Sequence, residues 1–117
     1  MIVGIGVDLV DVARFESKLS ATPALIERIF TPEERERSTE SLAGVWASKE
    51  ALVKALGNPV GLSWQDMTVT KDSLGKPRLE ITGATKERSQ QMGIESWHLS
   101  ITHDGGMACA FVIAEGN

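Results

Sequence analysis

The stretch Trp97-His98-Leu99-Ser100-Ile101-Thr102-His103-Asp104-Gly105-Gly106-Met107-Ala108-Cys109-Ala110-Phe111-Val112-Ile113-Ala114 decides the fold. Trp97, Leu99 and Ile101 alternate with His98, Ser100 and Thr102, the two-residue period of a half-buried strand. Asp104-Gly105-Gly106 is a turn signal, and the nearly all-apolar run after it reads as a second strand. Strands joined by so short a turn run antiparallel. Upstream, residues 67–71 and 77–81 flank the loop Asp72-Ser73-Leu74-Gly75-Lys76 as a second hairpin, and a short helix from about 84 to 91 ends at Gly93.

The first half of the chain is mostly helical in pattern. Residues 1–7 are apolar with Gly4 and Gly6 interleaved, predicting a buried strand that ends at Asp8. Asp11 then caps a short helix with Val12, Phe15 and Leu19 on one face, and Arg14 and Lys18 one turn apart beside it. Thr22-Pro23 and Thr31-Pro32 each pair a capping hydroxyl with a proline at the first helical position, and Glu34 completes a capping box with Thr31. The strongest helix runs from about 42 to 56, with Gly57 as its stop and Asn58-Pro59 barring continuation. The expected fold class is α+β: one small domain, residues 1–117, with a mainly antiparallel sheet packed on helices.

Composition bounds the function. At 117 residues, 42% hydrophobic and 24% charged, the chain has the makeup of an ordered globular domain. So small a domain gains from burying further surface by self-association. A net charge of −4 argues against a nucleic-acid binder. The single cysteine, Cys109, excludes a disulfide framework and a cysteine-rich zinc site. The apolar N-terminal run lacks a basic leader and is too short for a signal peptide or a membrane span, so the expected location is cytoplasmic.

In the strong helix the only charged residues are Lys49, Glu50 and Lys54. Glu50 and Lys54 lie one turn apart, and a carboxylate beside so much apolar surface needs a compensating partner. Either Lys54 supplies it in an ordinary pair, or Glu50 holds a metal and Lys54 a phosphate. Magnesium suits the second arrangement, since it takes one or two carboxylates and leaves other positions to water and substrate phosphates. Asp8 is the second candidate carboxylate, read either as a turn residue or as a side chain entering a cleft. Gly4 and Gly6 do not begin a dinucleotide fingerprint, because Leu9 stands where its third glycine belongs. Ser100 and Thr102 share a strand face and His103 stands where the strand meets the turn; together they could hold phosphate oxygens, or His103 could be a hydrogen-bonded strand-end histidine.

Four stretches carry a resemblance to a known family: Ile5-Gly6-Val7-Asp8-Leu9-Val10, Trp46-Ala47-Ser48-Lys49-Glu50-Ala51 followed by Lys54-Ala55, Gly75-Lys76-Pro77, and Ser100-Ile101-Thr102-His103. In that order and spacing the chain resembles the holo-acyl-carrier-protein synthases among the phosphopantetheinyl transferases. The resemblance implies transfer of the 4′-phosphopantetheine arm of coenzyme A to a serine of acyl carrier protein, in support of fatty acid biosynthesis. It makes Asp8 and Glu50 magnesium ligands with Lys54 on the phosphates. It puts Gly57, Gly75, Lys76, Pro77, Ser100, Thr102 and His103 at the coenzyme A site, and Arg14 and Arg28 facing the carrier protein. It also implies a homotrimer with sites between subunits. The proton acceptor for the serine stays open among Glu50, Glu34 and a water on the magnesium.

The chain departs from the family's Arg-Phe-Ala-Ala-Lys-Glu-Ala pattern. Val45, Trp46 and Ser48 replace Arg, Phe and the second Ala, so a coenzyme A phosphate contact must come from elsewhere. The segment before Trp46 is also short for the family. Two other readings use the same residues: a magnesium-dependent enzyme of other pyrophosphate chemistry, or a non-catalytic module that binds coenzyme A or a carrier protein.

Overall fold

The computed structural model describes all residues, Met1–Asn117. The chain runs β1 (Ile2–Asp11), α1 (Val12–Ala21), α2 (Ala24–Ile29), α3 (Thr39–Ala55), β2 (Met67–Lys71), β3 (Pro77–Ile81), α4 (Gly83–Gln91), β4 (Ile94–Asp104) and β5 (Met107–Gly116), with a 3₁₀ turn at Trp64–Asp66 before β2. The fold is α+β, as expected, with every strand pairing antiparallel. There are two sheets: β1-β5-β4, and the β2-β3 hairpin as a separate ladder. Gly105 and Gly106 both take positive φ, 57° and 76°, the geometry of the tight turn that lets Asp104 pair with Met107.

The core lies between α3 and the inner face of the larger sheet, where Ala47, Ala51 and Leu52 meet Ala108, Ala110, Val112 and Ala114, all fully buried. Small residues on both surfaces let helix and sheet approach closely. β1 comes closest: a Cβ on Gly4 would overlap the carbonyl oxygen of Ala55, and one on Gly6 that of Ala51. These two glycines are therefore packing residues that seat α3 directly on β1. Gly6→Ala would push against rigid backbone and is expected to cost about 3 kcal/mol or more, read as a fall in the urea midpoint. A loss below about 1 kcal/mol would show that the seam can part freely.

Two expectations need correction. β1 does not stop at Asp8 but runs to Asp11, because Val7 and Leu9 continue the alternation on its outer face. Asp8 is thus an inward-facing strand residue, the next after Gly4 and Gly6. Residues 32–36 form a turn and not a helix. Half of the capping box is present, since the Thr31 N–H donates to Glu34 Oε1 at 2.9 Å, but the Glu34 carboxylate is drawn inward. It pairs with Lys49 Nζ at 2.7 Å, with both side chains wholly buried. Lys49 also donates to the carbonyls of Ile29 and Trp64, and Glu34 accepts from the Val69 N–H, so every polar atom of the pair is satisfied. Burial lowers the Lys49 pKa, and Glu34 opposes that shift.

Asp11 caps α1 as expected, accepting from the Arg14 N–H at 2.9 Å. Helix α3 begins earlier than its apolar pattern suggests, at Thr39, because Ser38 caps it. No helix is long and apolar enough to cross a membrane.

Candidate active site

The seam between β1 and α3 builds the first half of the site. Gly4 faces Ala55 and Gly6 faces Ala51, so the inward residue that follows, Asp8, lies toward the preceding turn of the helix, beside Glu50. Asp8 and Glu50 line one cleft of about 250 Å³, with Arg14 and Lys18 of α1 and the indole of Trp46. Burial, and after it the charge of Asp8, raises the Glu50 pKa above its ordinary 4.5, while Lys54 and Lys18 pull it down. Two carboxylates separated by 42 positions in the chain are thus close enough to repel.

Lys54 does not pair with Glu50 as the simple surface reading has it. Its Nζ donates to Asp8 Oδ1 at 3.1 Å and to the Val7 carbonyl at 3.0 Å. The Lys54 side chain is about half exposed, and two of its three N–H donors are used, which leaves the third for a ligand. No group of three or more His, Cys, Asp or Glu converges to cage an ion. Two facing carboxylates open to solvent are a donor set that magnesium, completed by water and phosphate oxygens, could use.

A second pocket, of about 190 Å³, opens between the start of α3, the β2-β3 hairpin and the end of β4. Gly75, Pro77 and His103 line it, and so do Arg37, Lys71 and Val45. The His103 ring packs on Gly44, where a Cβ would come within 3.1 Å of Nε2, and Nε2 donates to the Glu40 carbonyl at 3.0 Å. The pocket and the carboxylate cleft share no residue.

The remaining candidates are scattered. Ser100 and Thr102 sit on the outer face of the sheet, opposite Phe111 and Cys109 of β5, and do not join His103 in its pocket. The Lys76 side chain is exposed and lines neither cavity; its N–H donates to Asp72 Oδ1 at 2.9 Å. Gly57, at φ 83°, ends α3 and lines neither cavity. Arg28 borders an apolar hollow between α1 and α2, formed with Phe15, Leu25, Trp46 and Trp64, which adjoins the carboxylate cleft through Lys18. Glu34, one of the three proton acceptors left open, is ruled out by its buried pairing with Lys49.

Sequence reasoning left three site-lining cations unassigned. Lys18 had a signal, its position one turn after Arg14. Arg37 and Lys71 had none, because only the folding of β2 beside α3 brings them together.

A seam-mounted pair of acids, cations around it and a separate basic pocket define a phosphate-handling enzyme. Residues 4–112 match the 4′-phosphopantetheinyl transferase superfamily, and the chain belongs to that superfamily. Within it the similar proteins are holo-[acyl-carrier-protein] synthases. That of Kocuria rhizophila is 54% identical over 98% of this chain and 94% of its own length. The solved synthase of Neisseria meningitidis superposes with a TM-score of 0.90 at 32% identity, covering 98% of this chain and 99% of that one. The synthase of Helicobacter pylori, solved in complex with coenzyme A, gives 0.83 at 33% identity, covering 95% and 99%.

Proposed function

We propose that this chain is a magnesium-dependent holo-acyl-carrier-protein synthase, moving 4′-phosphopantetheine from coenzyme A to a serine of apo acyl carrier protein. The observation that carries this is the convergence of Asp8 and Glu50 on one cleft, with Lys54 on Asp8. The serine oxygen attacks the β-phosphorus of coenzyme A. The bond from that phosphorus to the bridging oxygen breaks, adenosine 3′,5′-bisphosphate leaves, and the hydroxyl proton is lost. Asp8 and Glu50 would hold magnesium, which supplies a positive charge against the charge building on the leaving phosphate. Lys54 adds a fixed cation beside it. With Glu34 paired to Lys49, Glu50 is the side chain in the cleft left among the proton acceptors named above.

Arg14, Lys18 and Arg28 put three cations around the mouth of the cleft and the adjoining hollow. They give an acidic chain a local basic face for an acidic carrier protein. Ile5, Val7 and Leu9 of β1 are each more than half exposed, and Phe111 beside them is 42% exposed. An apolar sheet face of this kind is suited to burial against other copies, which supports a homotrimer. The reaction belongs to fatty acid biosynthesis, on carrier protein of the cytoplasm.

The test is to incubate the protein with apo carrier protein, coenzyme A and magnesium and to weigh the carrier. A gain of one phosphopantetheine group is expected, abolished by chelating the magnesium. An unmodified carrier across several acceptors would sink the proposal. Coenzyme A cleavage without any carrier would instead mark a hydrolase.

A further inference from the structure

We propose that Gln65 and Arg35 are positioning residues for the carrier protein: they clamp the last turn of α2 and so fix where Arg28 and Leu25 stand beside the carboxylate cleft. The inference rests on the proposed transfer for what α2 meets, and on hydrogen bonds within the chain for which residues hold it.

At six residues, α2 is too short to persist on its own helical bonds. No side chain caps its N-terminal end. The other end is different. The last four carbonyls of a helix have no partner within it, yet all four of α2 accept a hydrogen bond. Ile26 accepts from the Phe30 N–H at 3.0 Å, and Ile29 from Lys49 Nζ at 2.7 Å. Glu27 accepts from Gln65 Nε2 at 2.8 Å and from Arg35 Nη2 at 3.2 Å. Arg28 accepts from Gln65 Nε2 at 3.3 Å. Gln65 Nε2 and Arg35 Nε then meet again on the Phe30 carbonyl, each at 3.0 Å. Gln65 reaches this turn from 38 positions beyond Glu27.

Gln65 is exposed, so water can serve these carbonyls in its absence and the cost to overall stability is small. Ile29 and Phe30 are buried and keep α2 attached without it. What the clamp adds is direction. Leu25, Arg28 and Ile29 line the apolar hollow that adjoins the carboxylate cleft, and Arg28 makes no ion pair within the chain. Its charge is therefore free for an acidic partner. The turn that carries Gln65 also carries Trp64, whose ring meets Trp46 edge-on with centroids 4.8 Å apart. The Trp64 carbonyl accepts from Lys49, the neighbour of Glu50. One support thus holds α2, a wall of the hollow and the helix of the acidic pair. A carrier protein whose serine must reach that pair meets a surface already set relative to it, and less ordering is left to the moment of binding.

Steady-state kinetics of carrier modification, with KM for the carrier and for coenzyme A measured separately, test this. Gln65→Met keeps the length of the side chain and removes its donors. It should raise KM for the carrier about 3- to 10-fold and leave kcat and KM for coenzyme A within about twofold. Arg28→Ala should raise KM for the carrier in the native background but by less than about twofold when added to Gln65→Met, because the guanidinium is already out of place there. Effects of the two changes that simply multiply would overturn the proposal. So would an unchanged KM for the carrier in Gln65→Met, or an equal rise in both KM values. Should Gln65→Met fold poorly, Arg35→Lys serves instead, since it keeps the charge and gives up one of two carbonyls, and the same split is required of it. A native protein that leaves every carrier unmodified would refute the transfer and this inference with it. A native protein that modifies the carrier no better than Gln65→Met does would refute the clamp alone.

Discussion

Glu50→Gln should lower kcat/KM for carrier modification by about 10²- to 10³-fold at millimolar magnesium, while the protein stays folded. The size follows from removing one of two carboxylates that together stabilise a transition state of high negative charge. The retained fold follows from the electrostatics of Glu50 in the metal-free protein. Glu50 has a folded pKa above 4.5, raised by burial and by Asp8, so its ionised form is disfavoured in the native state. Between its unfolded and folded pKa values the native protein holds more protons, and stability falls as pH rises through that window. Above it, ionised Glu50 costs stability that glutamine does not. The variant should therefore melt at or above the native temperature at pH 7, and the difference should shrink below pH 4.5. Magnesium should raise the melting temperature of the native protein more than that of the variant. Full activity in Glu50→Gln at ordinary magnesium would remove Glu50 from the metal site and from proton transfer together.

The second large effect lies one residue earlier in α3. Lys49→Met should destabilise the protein by about 3–5 kcal/mol, because it strands the Glu34 carboxylate without a counter-ion in a fully buried place. The carbonyls of Ile29 and Trp64 lose their donor at the same time. Against a total stability of about 5–15 kcal/mol for a domain, that loss can unfold the chain at 37 °C. Lys49→Met combined with Glu34→Gln should recover a substantial part. Glutamine can still accept from Thr31 or Val69 and carries no charge to bury. Urea midpoints at constant m-value measure both. A double variant no more stable than the single one would show that the lysine acts through packing and not through charge.

Adjacent residues of one helix thus divide the work. Lys49 points inward and fastens α3 to the turn after α2 and to the start of β2, and Glu50 points to the cleft. Sequence patterning could place the helix but not this division, since both residues appear there simply as charges on an apolar helix. Thr31 and Glu34 present a local capping box, and the partner that turns the glutamate inward lies 15 residues further on. No local period reveals such a pairing.

The same limit governs the strands. Both hairpins were legible because their turn residues and alternation are local. The length of β1 was not, because Val7 and Leu9 look like core residues and are instead exposed on a face that a single chain leaves uncovered. Asp8, Glu50 and Lys54 could be named in advance from an apolar helix with few charges and from the family pattern. Arg37 and Lys71 could not, since their pocket exists only once the β2-β3 hairpin lies beside the beginning of α3.

Seating α3 on Gly4 and Gly6 ties the acidic pair to the least deformable part of the molecule. Drawing Asp8 away from Glu50 means lifting the strand from the helix, and with it the centre of the protein. No hinge separates the chemistry from the scaffold, so heat inactivation and loss of cooperative structure are one event, and the molecule has little room for a folded but idle form.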